Sequence, residues 1–538
     1  MNVDPPPPPA AESADTRAFA PLADPVFRML WMAWLTANVC MWMNDVAAAW
    51  LMTQITPDPA WVALVQTAST LPVFLLGLPS GAMADIVDRR RWFMFTQFWV
   101  AATALLLCAL AFADALNAPL LLLLVFVNGI GLAMRWPVFA AIVPEVVPRV
   151  QLSAALALNG VAMNASRIAG PIAAGAILAS LGSPWVFALN ALLSVGTAFI
   201  IFRWRNVVRA SALPGERFVG AMRVGLQYVR QSPRLRVVLL RIFVFFLQST
   251  ALVALLPLLA RQLGGGAGTY TLLLASMGVG AIVAGLGMVR LRAAWTRDKL
   301  VTLGTVVHAA ATVAAALSDS VWLTAPAMAA AGAAWITAAN SLTLAAQFAL
   351  PDWVRARGMS IYQMALMAGA AGGAALWGQV ASRTDLRTGL LASAALALAL
   401  VLLLRGRRID DHGEEDLTPQ RAQPELKPAF PVEQHDGPVM VTIEYLIDEA
   451  DRPVFVELMQ DLRRMRLRSG ALSWGLFRDS ADPRRHVEYF VDESWVEHLR
   501  RFDRVTASDL ALRARRNALH RGEGPPKVER YIAESMLS

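Results

Sequence analysis

The chain has 538 residues, of which 56% are hydrophobic and 16% charged, and its mean hydropathy is +0.48. This composition excludes an ordinary soluble protein of that length and indicates many membrane-spanning segments. The net charge of +8 does not point to nucleic acid, because the arginines concentrate in short loops between apolar segments. Both cysteines lie in apolar segments and the sequence has no Gly-Lys pair, so we expect no metal, no cofactor and no ATP site.

The chain begins with a polar segment and continues with twelve apolar ones. Residues 1–25 predict a disordered tail without the layout of a signal peptide. Each apolar segment is long enough to cross a bilayer and is predicted to be a helix, since backbone groups in lipid must bond internally. They form two six-helix bundles, 26–203 and 237–405. The predicted spans are 28–52, 60–83, 92–113, 119–142, 154–180, 184–203, 237–260, 270–290, 300–317, 321–346, 357–381 and 388–405.

Three ionisable groups lie inside spans of the first bundle, where each costs roughly 2.5–3.5 kcal/mol on insertion scales. Asp45 in span one is a candidate for binding a proton or a cationic substrate; the alternative is a structural carboxylate near the outer surface. Arg167 in span five, beside Asn164 and Asn159, is a candidate for holding an anionic substrate or a carboxylate, with an inter-helix clamp as the alternative. Arg135 in span four is interpreted first as a loop anchor.

A short charged hinge, residues 81–91, separates the second and third spans. Gly81 allows two helices to meet closely, and Asp85 is placed to bridge to Arg89, Arg90 or a neighbouring helix end. This pattern resembles the signature loop of the major facilitator superfamily, a family of transporters, and the resemblance implies a role in conformational switching. A loop that only fixes topology is the alternative.

Span five continues through Gly170, Pro171 and Gly175. Small residues let helices approach, and a proline weakens the backbone ladder and makes a bend. The segment resembles the Gly-Pro motif of antiporters of the same superfamily, which implies that it seals one side of a central cavity. Small-residue packing alone is the alternative.

Segment 204–236 separates the two bundles and carries apolar residues at helical spacing with arginines between them. It predicts an amphipathic helix on the membrane surface, with a partner-binding helix as the alternative. Basic residues cluster in the loops that follow even-numbered spans, which predicts that both termini are cytoplasmic. In the second bundle, Gln248 and Asn340 are expected to line the substrate and proton pathway, and its spans hold no evident carboxylate.

A polar linker, 406–436, precedes a segment in which the periodicity changes. Residues 437–538 predict a soluble α+β domain with a ferredoxin-like βαββαβ order, in which Ser494 and Glu497 form a helix capping box. Through residues 473–475 and 494–500, the domain is similar to an extension that some members of the major facilitator superfamily carry, of a fold shared with small antibiotic-biosynthesis monooxygenases. Fold similarity does not confer activity, so a dimerisation or regulatory role is preferred over an enzyme that uses His486, His498 or Tyr489.

Segments 144–152, 157–160, 335–336 and 351–358 resemble the bacterial transmembrane secretion effector branch of the superfamily. The resemblance implies an inner-membrane transporter, not an enzyme, that exports a small amphipathic compound such as a siderophore, drug or metabolite by alternating access coupled to protons. An uptake or facilitated carrier is the alternative. The expected partners are the bilayer, protons, the substrate and a second copy through the C-terminal domain, without nucleic acid.

Overall fold

A computed structural model describes residues 19–86, 88–203, 218–409, 415–420 and 428–534. Most of the predicted N-terminal tail and the first part of the predicted inter-bundle segment lie outside these ranges. Within the predicted tail, Ala20–Ala23 form a 3₁₀ turn whose Ala20 and Pro21 are buried. Asp24 then caps the first helix by accepting hydrogen bonds from the backbone N–H groups of Val26 and Phe27.

Twelve long helices carry the described part of the membrane region. The first six are α1 (Pro25–Ile55), α2 (Pro59–Ile86), α3 (Arg89–Phe112), α4 (Ala118–Val146), α5 (Leu152–Ser180) and α6 (Ser183–Arg203). A shorter helix, α7 (Phe218–Gln231), leads into the second set. That set comprises α8 (Pro233–Gln262), α9 (Ala267–Ala294), α10 (Arg297–Leu317), α11 (Val321–Phe348), α12 (Asp352–Arg383) and α13 (Leu386–Leu403).

Eleven of these helices are long and apolar enough to cross a membrane, counted over the described residues, and α1 is the long helix that does not meet this standard. Length is not the reason, because α1 has 31 residues. Its hydropathy is lowered by polar side chains such as Asn38 and Asn44, which are buried inside the bundle. The predicted twelve-helix architecture is confirmed, and the helix that falls below this hydropathy standard carries buried polar groups.

Small residues set the distances between neighbouring helices. A Cβ atom on Gly332 of α11 would collide with the Met277 carbonyl of α9, and one on Gly373 of α12 would collide with the Leu247 carbonyl of α8. Such positions let helix backbones approach closely in lipid, where packing replaces the hydrophobic effect as the main attraction between helices. Across the two bundles, α2 packs on α12 and α5 packs on α9.

We call the end of the bundles formed by the α2–α3, α4–α5, α9–α10 and α11–α12 loops the basic side, and the opposite end the far side. Several contacts join the bundles toward the far side. Trp50 of α1 stacks on Tyr270 of α9 with ring centroids 6.0 Å apart. Arg261 of α8 donates a hydrogen bond to the Thr53 carbonyl of α1. These contacts hold the first and second bundles together near the ends of α1 and α8.

Helix α7 buries part of its apolar side against other parts of the protein. Val224, Tyr228 and Val229 are buried by protein. The Tyr228 hydroxyl donates a hydrogen bond to the Ala349 carbonyl at 2.9 Å, and its ring meets Trp353 edge-on. Part of the apolar side is therefore covered by the second bundle and the soluble domain, while Leu226 is exposed, and a position of α7 on the membrane surface stays a prediction.

The soluble domain is the partner on the other side of α7. Gln227 donates a hydrogen bond to the Ala471 carbonyl at 3.2 Å, and Arg223 forms an ion pair with Glu493. Arg504 of the domain places its guanidinium over the Trp353 ring, 5.1 Å from the centroid. The C-terminal domain therefore docks on α7 and on the start of α12, at the basic side.

The soluble domain has the predicted βαββαβ order, with its second helical segment divided into two helices. Its elements are β1 (Val439–Leu446), α14 (Arg452–Arg468), β2 (Ser473–Arg478), β3 (Arg485–Asp492), α15 (Trp495–Asp503), α16 (Ala507–Ala518) and β4 (Lys527–Ile532). The four strands form an antiparallel sheet in the order β2-β3-β1-β4. This small four-stranded α+β region confirms the fold predicted for the tail.

One local prediction in this domain is wrong. Ser494 precedes α15 but its side chain makes no capping hydrogen bond, because Glu497 pairs with Arg500 and Arg504 instead. The capping box lies one helix later, where the Thr506 and Asp509 side chains each accept a hydrogen bond from the other's backbone N–H.

Buried charges occupy the space between the sheet and its helices. The Glu488 carboxylate is fully buried and accepts hydrogen bonds from Arg466 at 2.9 Å, Trp474 at 3.0 Å and the Tyr445 hydroxyl at 2.6 Å. Burial alone would raise the pKa of Glu488, but the Arg466 charge and the hydrogen bonds outweigh it and lower the pKa to about 2. The carboxylate is therefore an anion that holds the helices onto the sheet.

We expect Glu488→Gln to destabilise the domain by about 3–5 kcal/mol at pH 7, because it leaves Arg466 buried without its ion-pair partner. The pKa of Glu488 is lower in the folded state than in the unfolded state, so its stabilisation is present above about pH 4.5 and lost as the pH falls toward about 2. Thermal unfolding of residues 437–538 at several pH values measures both effects. Glu529→Gln, on the exposed edge strand, is the control; an equal loss in both variants would contradict the prediction.

Candidate functional site

The centre of the site is Arg167, which lies between two tryptophans from different bundles. Its guanidinium carbon is 4.3 Å from the Trp335 ring centroid and 5.2 Å from that of Trp42. Trp42 belongs to α1 and Trp335 to α11, so the cation on α5 bridges the two bundles. The Arg167 Nε atom is buried and has no hydrogen-bond partner among the described residues. The geometry leaves a donor for an anionic or aromatic group that enters between the bundles.

Asp45 lies three residues after Trp42 on the same face of α1, one turn nearer the far side. Its carboxylate is beside the Ser69 hydroxyl of α2 and close enough to Tyr270 of α9 to act on that hydroxyl electrostatically. The side chain is half-buried. Asp45 therefore faces helices of both bundles.

Arg135 is not a loop anchor. It is 1% exposed, donates hydrogen bonds to the Ala37 carbonyl at 3.1 Å and to the Asn38 side chain at 3.3 Å, and stacks over Trp34. It ties α4 to α1 inside the first bundle. Helix α4 continues past Pro137 to Val146, so Arg135 does not lie in or beside a loop.

The other predicted pathway residues lie in three different places. Asn159 and Asn164 lie on α5 before Arg167; the Asn159 Oδ1 atom is buried without a partner among the described residues, and Asn164 bonds to the Gly160 carbonyl at 2.9 Å. Asn340 is half-buried on α11. Gln248 lines a different cavity, among α8, α10 and α13. The two asparagines share α5 with Arg167 without contacting it, whereas Gln248 lies at a separate cavity.

Two polar features of the membrane helices were not predicted from the sequence. Asn44 of α1 and Asn190 of α6 form a buried hydrogen bond of 3.2 Å, which continues to Ser194 at 3.3 Å. His308 of α10 is fully buried, and neither ring nitrogen has a partner among the described residues. An ionisable residue inside a predicted span is the signal that would have found His308.

The Gly-Pro segment of α5, Gly170 to Gly175, contacts α1 in the first bundle and α9 in the second. A Cβ atom on Gly170 would lie 2.5 Å from the Trp42 Cβ, so this glycine sets the α1–α5 distance. A Cβ atom on Gly175 would overlap the Thr271 side chain of α9, in the second bundle. Pro171 lies inside α5, which continues through it. The far-side contact between α5 and α9 therefore requires a residue without a side chain at position 175.

The structure describes only some of the side chains of the charged hinge, residues 81–91. The surroundings of Gly81 and the side chain of Asp85 are outside the described part. Arg90 donates hydrogen bonds to the carbonyls of Ile201 and Phe202, and its guanidinium lies 5.3 Å from the Phe202 ring centroid. A cation at the carbonyl end of a helix is favoured by the helix dipole. Arg90 thus ties the start of α3 to the end of α6, while Arg89 is half-buried.

A family model described as transmembrane secretion effector matches residues 16–537. The staphyloferrin A transporter of Staphylococcus aureus is 24% identical over 152 residues, which cover 28% of this chain and 38% of that protein. Macrolide efflux protein A of Streptococcus pyogenes is 24% identical over 249 residues, which cover 45% of this chain and 60% of that protein. The match spans less than two thirds of either relative.

Solved structures show the same fold. A bacterial homologue of the human lysosomal transporter Spinster, inward-facing and occupied, aligns with a TM-score of 0.58 at 16% identity and covers 73% of this chain and 98% of that chain. The nucleoside transporter NupG aligns with a TM-score of 0.57 at 13% identity and covers 71% of this chain and 99% of that chain. At these identities the likeness concerns the fold alone.

Proposed function

Since the chain belongs to the transmembrane secretion effector family of the major facilitator superfamily, and is therefore a multi-pass membrane transporter, we propose that it exports a small amphipathic compound in exchange for protons. The observation that carries the proposal is the Trp42–Arg167–Trp335 arrangement between the bundles. It offers aromatic faces and a cation to one ligand, as a siderophore, drug or metabolite with both apolar and polar parts would require.

Proton coupling is assigned to Asp45. It lies one helical turn from Trp42, and its neighbours Ser69 and Tyr270 belong to helices of both bundles. A carboxylate at such a position can respond to the relative movement of the bundles, because its surroundings change when they separate. A carboxylate in this position links its own protonation to the alternating access of the two bundles.

Two further points support export. The relatives include proteins named as a staphyloferrin A transporter and as macrolide efflux proteins. The positive-inside rule, applied to the basic loops, supports a bacterial inner-membrane protein with both termini on the cytoplasmic side. In that orientation the far-side contacts between the bundles face the periplasm. In the export cycle the closed far side corresponds to the state that takes up substrate from the cytoplasm.

The test is accumulation of a panel of dyes, macrolides and siderophores in cells that express the chain, with and without a protonophore. Lower accumulation of at least one compound, restored by the protonophore, is the expected result. Lower accumulation that is insensitive to the protonophore would favour a facilitated carrier, and higher accumulation would favour uptake.

For the C-terminal domain we propose assembly rather than catalysis. Its acid–base candidates already have structural partners: His498 contacts Asp492 at 2.9 Å and Arg530 at 3.2 Å, and His486 contacts the Arg484 carbonyl at 3.1 Å. The third candidate, Tyr489, stacks on Phe477.

The sheet face opposite the helices supplies the surface for a second copy. Phe477, Tyr531 and Met440 are exposed there on three strands. Phe477→Arg is expected to convert a dimer of the purified full-length protein into a monomer by mass photometry in detergent, while Phe430→Arg, exposed in the linker, is not. A monomeric wild type would overturn the proposal.

A further inference from the structure

A cavity of about 840 Å³ lies among α8, α10 and α13, apart from the contacts between the bundles. Its wall is mostly apolar, with Val244 and Phe245 from α8, Val301 and Val306 from α10, and Leu400 and Val401 from α13. Helices α10 and α13 pack on each other and on other helices of the second bundle. Leu303 and Val306 in its lining are exposed, so the cavity opens on the outside of that bundle and is separate from the Arg167 site.

The cavity lies at the basic side, because α8 and α10 begin there and α13 ends there. Its rim carries the side chains of Lys299, Arg405 and Arg408, all exposed. None of the three has an ion-pair partner among the described residues. Trp295, which also lines the cavity and is 43% exposed, is a residue type that favours the bilayer interface. Among the described residues, the rim therefore presents three positive charges without a counter-charge, beside a tryptophan of the kind found at bilayer interfaces.

A fourth cation at the cavity is already used within the protein. Arg241 pairs with Asp298 at 3.2 Å and donates hydrogen bonds to the carbonyls of Leu404 and Arg407. The Asp298 carboxylate also accepts a hydrogen bond from the Ile409 backbone N–H at 2.9 Å. These bonds fix the end of α13 and the turn that follows it. They therefore also fix the backbone that carries Arg405 and Arg408.

An unpartnered polar group lies deeper in the same cavity. Gln248 is 2% exposed and lines the cavity, and its Nε2 atom has no hydrogen-bond partner among the described residues. It follows Arg241 by two helical turns, which is about 10 Å along α8. A buried donor without a partner has a free-energy cost, because it has lost its hydrogen bonds to water. A ligand with an acceptor inside an otherwise apolar part would remove that cost.

We propose that this cavity binds an anionic phospholipid from the leaflet on the basic side. The phosphate lies against Lys299, Arg405 and Arg408, an acyl chain runs along the apolar wall, and an ester carbonyl accepts a hydrogen bond from Gln248. A cation cluster beside an apolar groove between membrane helices matches the charge and the shape of such a lipid. Occupancy joins α10 to the end of α13, the helix that leads to the soluble domain.

The test uses the purified full-length protein in mixed micelles, with phosphatidylglycerol and phosphatidylcholine as the probes and native mass spectrometry as the readout. We expect phosphatidylglycerol to bind at least about fivefold more tightly, since each basic residue near a lipid surface contributes about 1 kcal/mol. The preference is expected to disappear in the rim variant Lys299→Ala/Arg405→Ala/Arg408→Ala. Gln248→Leu is expected to weaken binding of both lipids while keeping the preference.

The matched control removes three exposed arginines from the same side but outside the cavity: Arg236→Ala/Arg290→Ala/Arg292→Ala. The control should keep the preference for phosphatidylglycerol. Equal binding of the two lipids by the wild type, or equal losses in the rim and control variants, would overturn the proposal. Displacement of the lipid by glycerol phosphate alone would overturn the acyl-chain part, because it would identify a site for free phosphate esters.

Discussion

Gly175→Ala is expected to lower transport about five- to 150-fold, because it costs the far-side closed state about 1–3 kcal/mol of overpacking. The added methyl group would overlap the Thr271 side chain of α9. Thr271 cannot turn away cheaply, since it is branched at Cβ and its hydroxyl donates a hydrogen bond to the Ala267 carbonyl at 2.9 Å. The bundles must then separate at the far side.

Efflux from cells measures the loss, and the distance between spin labels at Leu181 and Gln262, two exposed far-side positions, reports the separation. The rescue variant is Gly175→Ala with Thr271→Gly, which restores the space and should recover much of the transport. Gly268→Ala is the control on α9, because a Cβ atom there meets nothing within 4 Å. A control as defective as Gly175→Ala, or a rescue that fails while the protein folds normally, would contradict the steric argument.

Asp45→Asn is expected to abolish concentrative export while leaving exchange of substrate between the two sides. Asparagine has the same shape and can bond to Ser69, but it cannot carry a proton. Each proton that crosses the membrane contributes about 2.3 kcal/mol per 100 mV, so loss of one coupled proton lowers the attainable concentration ratio roughly fiftyfold. Asp45→Glu should retain part of the coupling.

Active efflux and substrate counterflow in proteoliposomes separate coupling from binding. Asp114→Asn is the matched control, because Asp114 is an exposed loop carboxylate with φ of 49°, a conformation that asparagine also adopts readily. If Asp45→Asn pumps normally, the proton site lies elsewhere, and the buried His308 becomes the next candidate. If it also loses counterflow, Asp45 serves substrate binding rather than coupling.

The sequence was sufficient for the architecture. Long apolar segments determine helices in lipid without reference to distant residues, because every backbone group must be satisfied within its own helix. Alternating Val439, Val441 and Ile443 likewise determined a half-buried strand. Local periodicity was enough to predict a helix or a strand wherever one side of that element faces lipid or water.

Local patterns were not enough where the neighbour was another part of the chain. Helix α7 has the amphipathic pattern of a surface helix, but part of its apolar side meets Trp353 and the soluble domain. Arg135 has the sequence setting of a loop residue, but its partners are carbonyl and amide oxygens of α1. Periodicity identifies an apolar face and does not identify what covers it.

The sequence by itself determined the membrane-spanning bundles, the soluble α+β domain and the individual residues whose burial demands a reason, Asp45 and Arg167 among them. Only the tertiary structure decided which residues act together: Arg167 with tryptophans of both bundles, Gly175 with Thr271, and Gln248 with a cationic rim on α10 and beyond α13. The reason is physical, because helix formation depends on neighbours four residues apart, whereas these contacts join residues that only the packing of whole helices brings within a few ångströms.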